Sequence, residues 1–178
     1  MFQAATEADP SNIGAIVNLG ALEFEKNNYE FAAIRFLDAL EIKQDDEEAL
    51  CNLALALKKT SYISYAQVAF EEAVNVSPGN TFILQNYMLF LLETKKFDQF
   101  DRVIVHAKRV MDKSELDTVV KLRDEFRAAI EGAALDRVLP EDEIANSKQA
   151  PADLSQLRSV LKKFGAKNTT LDSIPEEK

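Results

Sequence analysis

The sequence predicts an all-α fold, a solenoid of stacked helical pairs, and three observations carry that prediction. Good helix formers such as Ala, Leu, Glu and Lys dominate the 178 residues, and only five glycines occur. Alternating β-branched runs between tight turns, the mark of strands, are scarce. The third observation is a spacing. Ala32, Phe36 and Ala39 in NYEFAAIRFLDAL are matched 34 positions later by Ala66, Phe70 and Ala73 in SYAQVAFEEAV. A fixed period of that length marks an architecture in which each unit buries its apolar face only against its neighbours.

Taken in order, the elements follow from that period. Residues 1–12, FQAATEADP among them, place Phe2, Ala5 and Pro10 34 positions before Phe36, Ala39 and Gln44, and so predict the second helix of a preceding unit. On this reading the chain starts inside a longer array and presents an exposed repeat edge. Residues 13–46, 47–80 and 81–113 form three gapless units of helix, turn and helix. Ile16, Leu19, Gly20 and Phe24 mark the first helix of the first unit, and Tyr29, Ala32, Phe36 and Ala39 mark its second. Leu50, Leu53, Ala54 and Leu57, then Ala66, Phe70, Ala73 and Pro78, repeat the scheme. The third unit is looser: Leu84, Tyr87, Met88 and Leu91 precede Phe97, Phe100, Ile104 and Ala107. Residues 114–134 carry Leu116, Val119, Leu122, Phe126 and Ile130 along one face behind Ser114 as cap, the pattern of a helix that covers the end of a solenoid. Residues 135–151 lose periodicity and predict a linker. Residues 152–165 predict a short amphipathic helix, with Asp153 as cap, Gly165 as stop and an apolar stripe of Leu154, Leu157, Val160, Leu161 and Phe164. Residues 166–178 predict a flexible tail.

These residues at this period resemble the tetratricopeptide repeat (TPR), over about residues 2 to 112. The resemblance implies a right-handed α–α superhelix in which small residues let paired helices approach and large ones fill the space beside them. Phe100 stands where alanine is usual, which predicts wider helix spacing in the third unit. The runs VNLGALEFEKNNYEFAAIRFLDAL, ALALKKTSYISYAQVAFEEAV and NTFILQNYMLFLLETKKF are also similar to the closing repeats of a Bardet–Biedl syndrome protein family, subunits of the BBSome coat of cilia. That similarity implies a structural subunit of a complex that carries ciliary membrane proteins, located at the cilium or basal body.

Composition bounds the function classes. Thirty acidic against 21 basic residues give a net charge of -9, which argues against nucleic-acid partners, since backbone binding needs clustered Lys and Arg. The single cysteine excludes an internal disulfide framework and fits a reducing, cytoplasmic setting. No apolar run approaches the roughly 20 residues of a membrane-spanning helix, so direct membrane insertion is not expected. No cofactor or metal is predicted: the glycines are scattered, His106 is the lone histidine, and Cys51 has no histidine at a sensible register. Glu71 and Glu72, and the acidic run Asp45 to Glu48, read as solvated faces and turns. The chain is therefore not expected to be an enzyme.

One polar feature stands above this background. Asn18, Asn52 and Asn86 recur at the same period in the first helices of the three units. The TPR resemblance places first helices on the concave side, where three amides, each donor and acceptor, would hold the backbone of an extended peptide. Asparagine at this position is also a repeat habit kept for local reasons. Val17, Ala21, Cys51, Leu55, Lys58, Lys59, Gln85 and Leu89 are expected to line the same groove, Lys58 and Lys59 supplying its positive charge. Chaperone-binding members of the family clamp a carboxylate with lysines, asparagines and an arginine. Here Asn52 fits one clamp position, but Val17, Ala21, Phe82 and Asn86 fill the others, so a chaperone-tail clamp is disfavoured. The expected function is a protein–protein interaction scaffold, binding other subunits or peptides through the groove and the exposed edge. A regulatory repeat module of a larger enzyme such as a glycosyltransferase, and a co-chaperone, are the alternatives.

Overall fold

The computed structural model describes residues 12–60 and 62–136, and every element among them is helical. The expected half-repeat at 1–12, apart from Asn12, lies outside the described residues, as do nearly all of the linker and the whole of the 152–165 helix and tail. Among the described residues seven helices follow one another: α1 (Ile13–Glu25), α2 (Tyr29–Ile42), α3 (Glu47–Lys58), α4 (Ile63–Val76), α5 (Thr81–Glu93), α6 (Phe97–Ala107) and α7 (Lys113–Asp136). They divide into two compact bodies, one ending at Val76 and the other beginning at Ser77.

Each first helix starts on the same device. Asn12 Oδ1 accepts from Ala15 N at 2.9 Å, Asp46 Oδ1 from Ala49 N at 3.0 Å, and Asn80 Oδ1 from Phe82 N and Ile83 N at 3.1 and 3.3 Å. These caps satisfy amides that the helix leaves without partners, and they stand 34 residues apart. The turn that ends α1 is equally specified. Asn28 N donates to Glu23 O and Asn27 N to Phe24 O, each at 2.9 Å, with Asn27 at φ 63°. At the end of α5 the same pair of bonds runs from Lys96 N to Leu91 O and Lys95 N to Leu92 O, with Lys95 at φ 59°. Both are Schellman ends. Asparagine tolerates the left-handed conformation, but lysine pays a steric cost there. Lys95→Gly should therefore raise stability by about 0.5–1 kcal/mol, after the added entropy of the unfolded chain is subtracted. Chemical denaturation checks this, and a loss of stability would show that the Lys95 side chain matters more than its backbone.

In the first body α1 pairs with α2, α2 packs on α3, and α3 pairs with α4. Ala32, Ala33, Ala39, Ala49, Ala54, Ala66 and Ala73 are fully buried, which puts the helix backbones close together. Gly20 marks the tightest approach: a Cβ added there would meet Phe36 Cε1 at 2.6 Å. The three repeats solve this seam differently at equivalent positions. Gly20 accompanies Phe36, Ala54 accompanies Phe70, and Met88 accompanies Ile104. All six are buried. The ring is kept where the first helix carries Gly20 or Ala54, and the smaller Ile104 stands only where it carries the larger Met88.

The second body is looser, with α5 and α6 less closely paired than the helices of the first two repeats. Phe100, wholly buried, takes the place held by Ala32 and Ala66. α7 then contacts α5 and reaches α6 through long side chains. Arg123 Nη1 and Arg127 Nη2 each donate to an Asp101 carboxylate oxygen at 3.0 Å. Their guanidinium carbons lie 5.9 Å from the Phe100 ring centre and 5.2 Å from that of Phe97. Long cationic arms laid over aromatic faces bridge a gap that small residues would have closed. The start of α7 corrects one expectation. Ser114 sits inside its first turn, and Asp112 is the cap, accepting from Glu115 N at 2.8 Å while Asp112 N donates back to Glu115 Oε2 at 3.4 Å. This reciprocal capping box needs an acceptor three residues before an acidic residue, which Asp112 and Glu115 supply.

Candidate protein-binding groove

Helical geometry turns each successive side chain by about 100°, and that rotation sorts the expected groove residues of the first body. Ala21 and Leu55 are partly exposed, and together with Phe24, Glu25, Phe36 and Asn52 they wall a pocket of about 140 Å3 between α1, α2 and α3. Asn18 lies exposed one turn before Ala21 on the same face of α1. Val17 and Cys51 do not line the opening. They are 4% and 3% exposed, because one residue before each asparagine the helix surface has already turned into the packed interior. Lys58 is half-buried and Lys59 exposed at the end of α3. The pocket's aromatic members, Phe24 and Phe36, and its acidic one, Glu25, were not among the expected groove residues. Glu25 follows Asn18 by seven positions, two helical turns, so the face it occupies was readable.

The second body holds the remaining expected residues on α5. Gln85, Asn86 and Leu89 are each half-buried. Asn86 Nδ2 donates to Phe82 O at 2.8 Å, so one of its amide hydrogens serves its own helix. Phe82 is 59% exposed, the most exposed large apolar side chain among the described residues. Gln85 occupies the repeat position of Val17 and Cys51, and its amide is compatible with partial exposure where they are apolar and enclosed. The expected apolar stripe of Leu154, Leu157, Val160, Leu161 and Phe164 lies outside the described residues.

The groups that chemistry would need are otherwise engaged. His106 Nε2 lies 2.6 Å from Pro78 O, and since a carbonyl only accepts, that nitrogen carries the hydrogen and ties the end of α6 to the loop before α5. Cys51 is a free thiol whose burial pushes its pKa up to about 11. A thiolate is the reactive form, so Ellman's reagent at pH 8 should label native Cys51 on the order of a hundredfold more slowly than an ordinary thiol. Labelling as fast as in denaturant would mean that α3 opens readily. Among the described residues no cluster of three metal-ligating side chains occurs, and no helix is long and apolar enough to cross a membrane.

A groove assembled from equivalent positions of successive helical pairs invites comparison with known repeat folds. The structure from the functional characterization of Pseudomonas aeruginosa pilF, a TPR protein, superposes with a TM-score of 0.55 over 94% of this chain and 72% of that chain, at 18% identity. The chain has a TPR-like α-solenoid fold. MamA MSR-1 C2, also a TPR protein, gives a TM-score of 0.48 at 17% identity, covering 66% of this chain and 64% of its own. In sequence this chain is 25% identical over 134 residues to the Drosophila melanogaster protein described as "BBSome complex member BBS4 homolog". The match covers 69% of this chain and 28% of that relative, so the chain spans little more than a quarter of the relative's length. No protein-family model matches the chain.

Proposed function

We propose that the chain is a protein-binding scaffold module of a BBSome-type assembly, acting at the cilium or basal body, and that it takes up a partner segment across α1 and α3. The observation that carries this reading is the pocket where Phe24, Phe36 and Leu55 supply apolar contact and Asn52 an amide at the rim. At about 140 Å3 it is smaller than the roughly 300–1,000 Å3 of sites that enclose metabolites, and it suits one or two side chains of a peptide or helix. Asn18 and Asn52 then hold the partner's backbone, while Lys59 at the end of α3 selects for acidic residues nearby. In the second body Asn86, Gln85 and Leu89 offer α5 as a contact surface of its own, and partners dock without catalysis. The likeness to the BBS4 homologue supports the choice of assembly.

The test is affinity purification of the tagged full-length protein from ciliated cells, beside a Leu55→Arg variant that fills the groove with charge. Ciliary coat subunits are expected with the wild type and depleted with the variant, while helical content and melting stay unchanged. Recovery of no coat subunit with either protein would remove the BBSome reading.

A further inference from the structure

The first body sets a carboxylate where helix electrostatics disfavour one. Glu25 is the last residue of α1, whose final turn holds no basic residue, so its charge lies at the negative end of the helix dipole. The equivalent place 34 residues on is Lys59, the cap of α3, which follows Lys58 in the last turn as the dipole favours. Glu25 is exposed and makes no ion pair or side-chain hydrogen bond among the described residues. Glu23, by contrast, accepts from Lys26 Nζ at 3.0 Å and from Asn28 Nδ2 at 2.7 Å. A residue that breaks a local rule without a local return points to use in binding. We propose that the pocket of Phe24, Glu25, Asn52 and Leu55 recognises an arginine of the partner segment, its guanidinium paired with Glu25 and its stem laid against Phe24 and Leu55. This rests on the groove being a peptide-binding surface and names the side chain that the groove selects.

The lining suits an arginine in particular. Ala21, Phe24, Phe36 and Leu55 are apolar, and the polar members are one carboxylate, Glu25, and one amide, Asn52. An arginine uses both kinds of wall, since its stem buries along apolar surface while its head requires acceptors. A carboxylate takes two parallel guanidinium bonds, and the side-chain oxygen of Asn52 offers a further acceptor. Lysine matches less well, because its compact ammonium is more strongly hydrated and neither forks nor lies flat on a ring. Phe24 is held for that use by an edge-to-face contact with Tyr29, the ring centres 5.2 Å apart and the planes at 69°. The chain already employs this combination elsewhere. In the second body Arg127 Nη2 donates to Asp101 at 3.0 Å while its guanidinium carbon lies 5.2 Å from the Phe97 ring centre. The first body supplies the ring and the carboxylate side by side at Phe24 and Glu25, and no arginine among the described residues is paired with them. Charge favours the same occupant. Residues 12–76 hold eleven acidic against five basic residues, and Lys26, Arg35 and Lys43 are each paired with a carboxylate three positions away, at 3.0, 3.4 and 3.2 Å. A cation from outside is therefore drawn to this body, and with Lys59 repelling it the arginine enters on the α1 side.

The experiment titrates the isotope-labelled full chain, followed by amide NMR, with capped Leu-Ala-Ala-X-Ala-Ala-Leu peptides in which X is arginine, its neutral isostere citrulline, lysine or glutamate. The arginine peptide is expected to shift the amides of Glu25, Asn52 and Leu55 and to bind about tenfold more tightly than the citrulline peptide, with lysine between them. Glu25→Gln is expected to erase the difference between arginine and citrulline. It should also melt no lower than the wild type, because it takes a charge off the carbonyl end of α1. Glu25→Arg should turn the preference towards the glutamate peptide. Equal affinity for arginine and citrulline, or arginine binding unchanged in Glu25→Gln, would overturn the arginine assignment while leaving the groove reading standing. Absence of any shift in α1 and α3 with the arginine peptide at millimolar concentration also overturns it, and coat-subunit recovery then reports separately on the proposed function. A lowered melting temperature for Glu25→Gln would make Glu25 a structural residue and likewise overturn the proposal.

Discussion

Phe36→Ala is expected to cost about 3–5 kcal/mol, the range for removing a fully buried aromatic ring. The ring is 1% exposed, and it fills the space opposite Gly20, where an added Cβ would come within 2.6 Å of it. It also contributes to the pocket with Phe24 and Leu55. Truncation leaves a void beside Gly20, which has no side chain to fill it. Because a solenoid sums local stabilities and neighbour contacts, the loss falls on the first repeat before the rest. Urea denaturation followed by far-UV circular dichroism measures the loss. Hydrogen exchange then locates it, with α1 and α2 amides losing protection ahead of those in α5 and α6. A cost below about 1 kcal/mol would show that the ring is not what joins the two helices.

Phe100→Ala is expected to destabilise the second body by a similar amount, about 3–5 kcal/mol, although the substitution restores the residue found at Ala32 and Ala66. Matching the repeat pattern does not help where the helices have already settled apart. Phe100 is wholly buried, and its ring lies under the Arg123 guanidinium that ties α7 to Asp101. Alanine removes the filler and the face on which Arg123 rests, so part of the loss belongs to α7. A double-mutant cycle with Arg123→Met measures that share, expected at about 0.5–1 kcal/mol. If Phe100→Ala were neutral or stabilising, α5 and α6 would have to be able to close to the spacing of the first two repeats.

Much of the architecture was legible because a repeat writes its packing into the sequence several times. Ala32 and Ala66, Phe36 and Phe70, and Ala39 and Ala73 are pairs separated by one period, and all six are buried. The caps were equally legible: Asn12, Asp46 and Asn80 recur at that period immediately before an apolar helix. The expectation that Ser114 caps α7 failed, because Asp112 is the cap. Both can cap, and only the reciprocal bond with Glu115 separates them.

The groove was harder to read. Val17 and Asn18, or Cys51 and Asn52, are adjacent in sequence, yet a turn of about 100° sends one into the core and leaves the other at the surface. The period of 34 assigns equivalent positions without saying which way a side chain points. It likewise predicted a wider third repeat from Phe100 but not the arginine bridge that spans it. Local sequence sufficed for the helices, their order and their close seams, because each unit repeats the same short-range pattern. The pocket, the inward turn of Cys51 and the standoff of α7 depended on the volumes and charges that neighbouring helices bring together, and those meet only when the chain is packed.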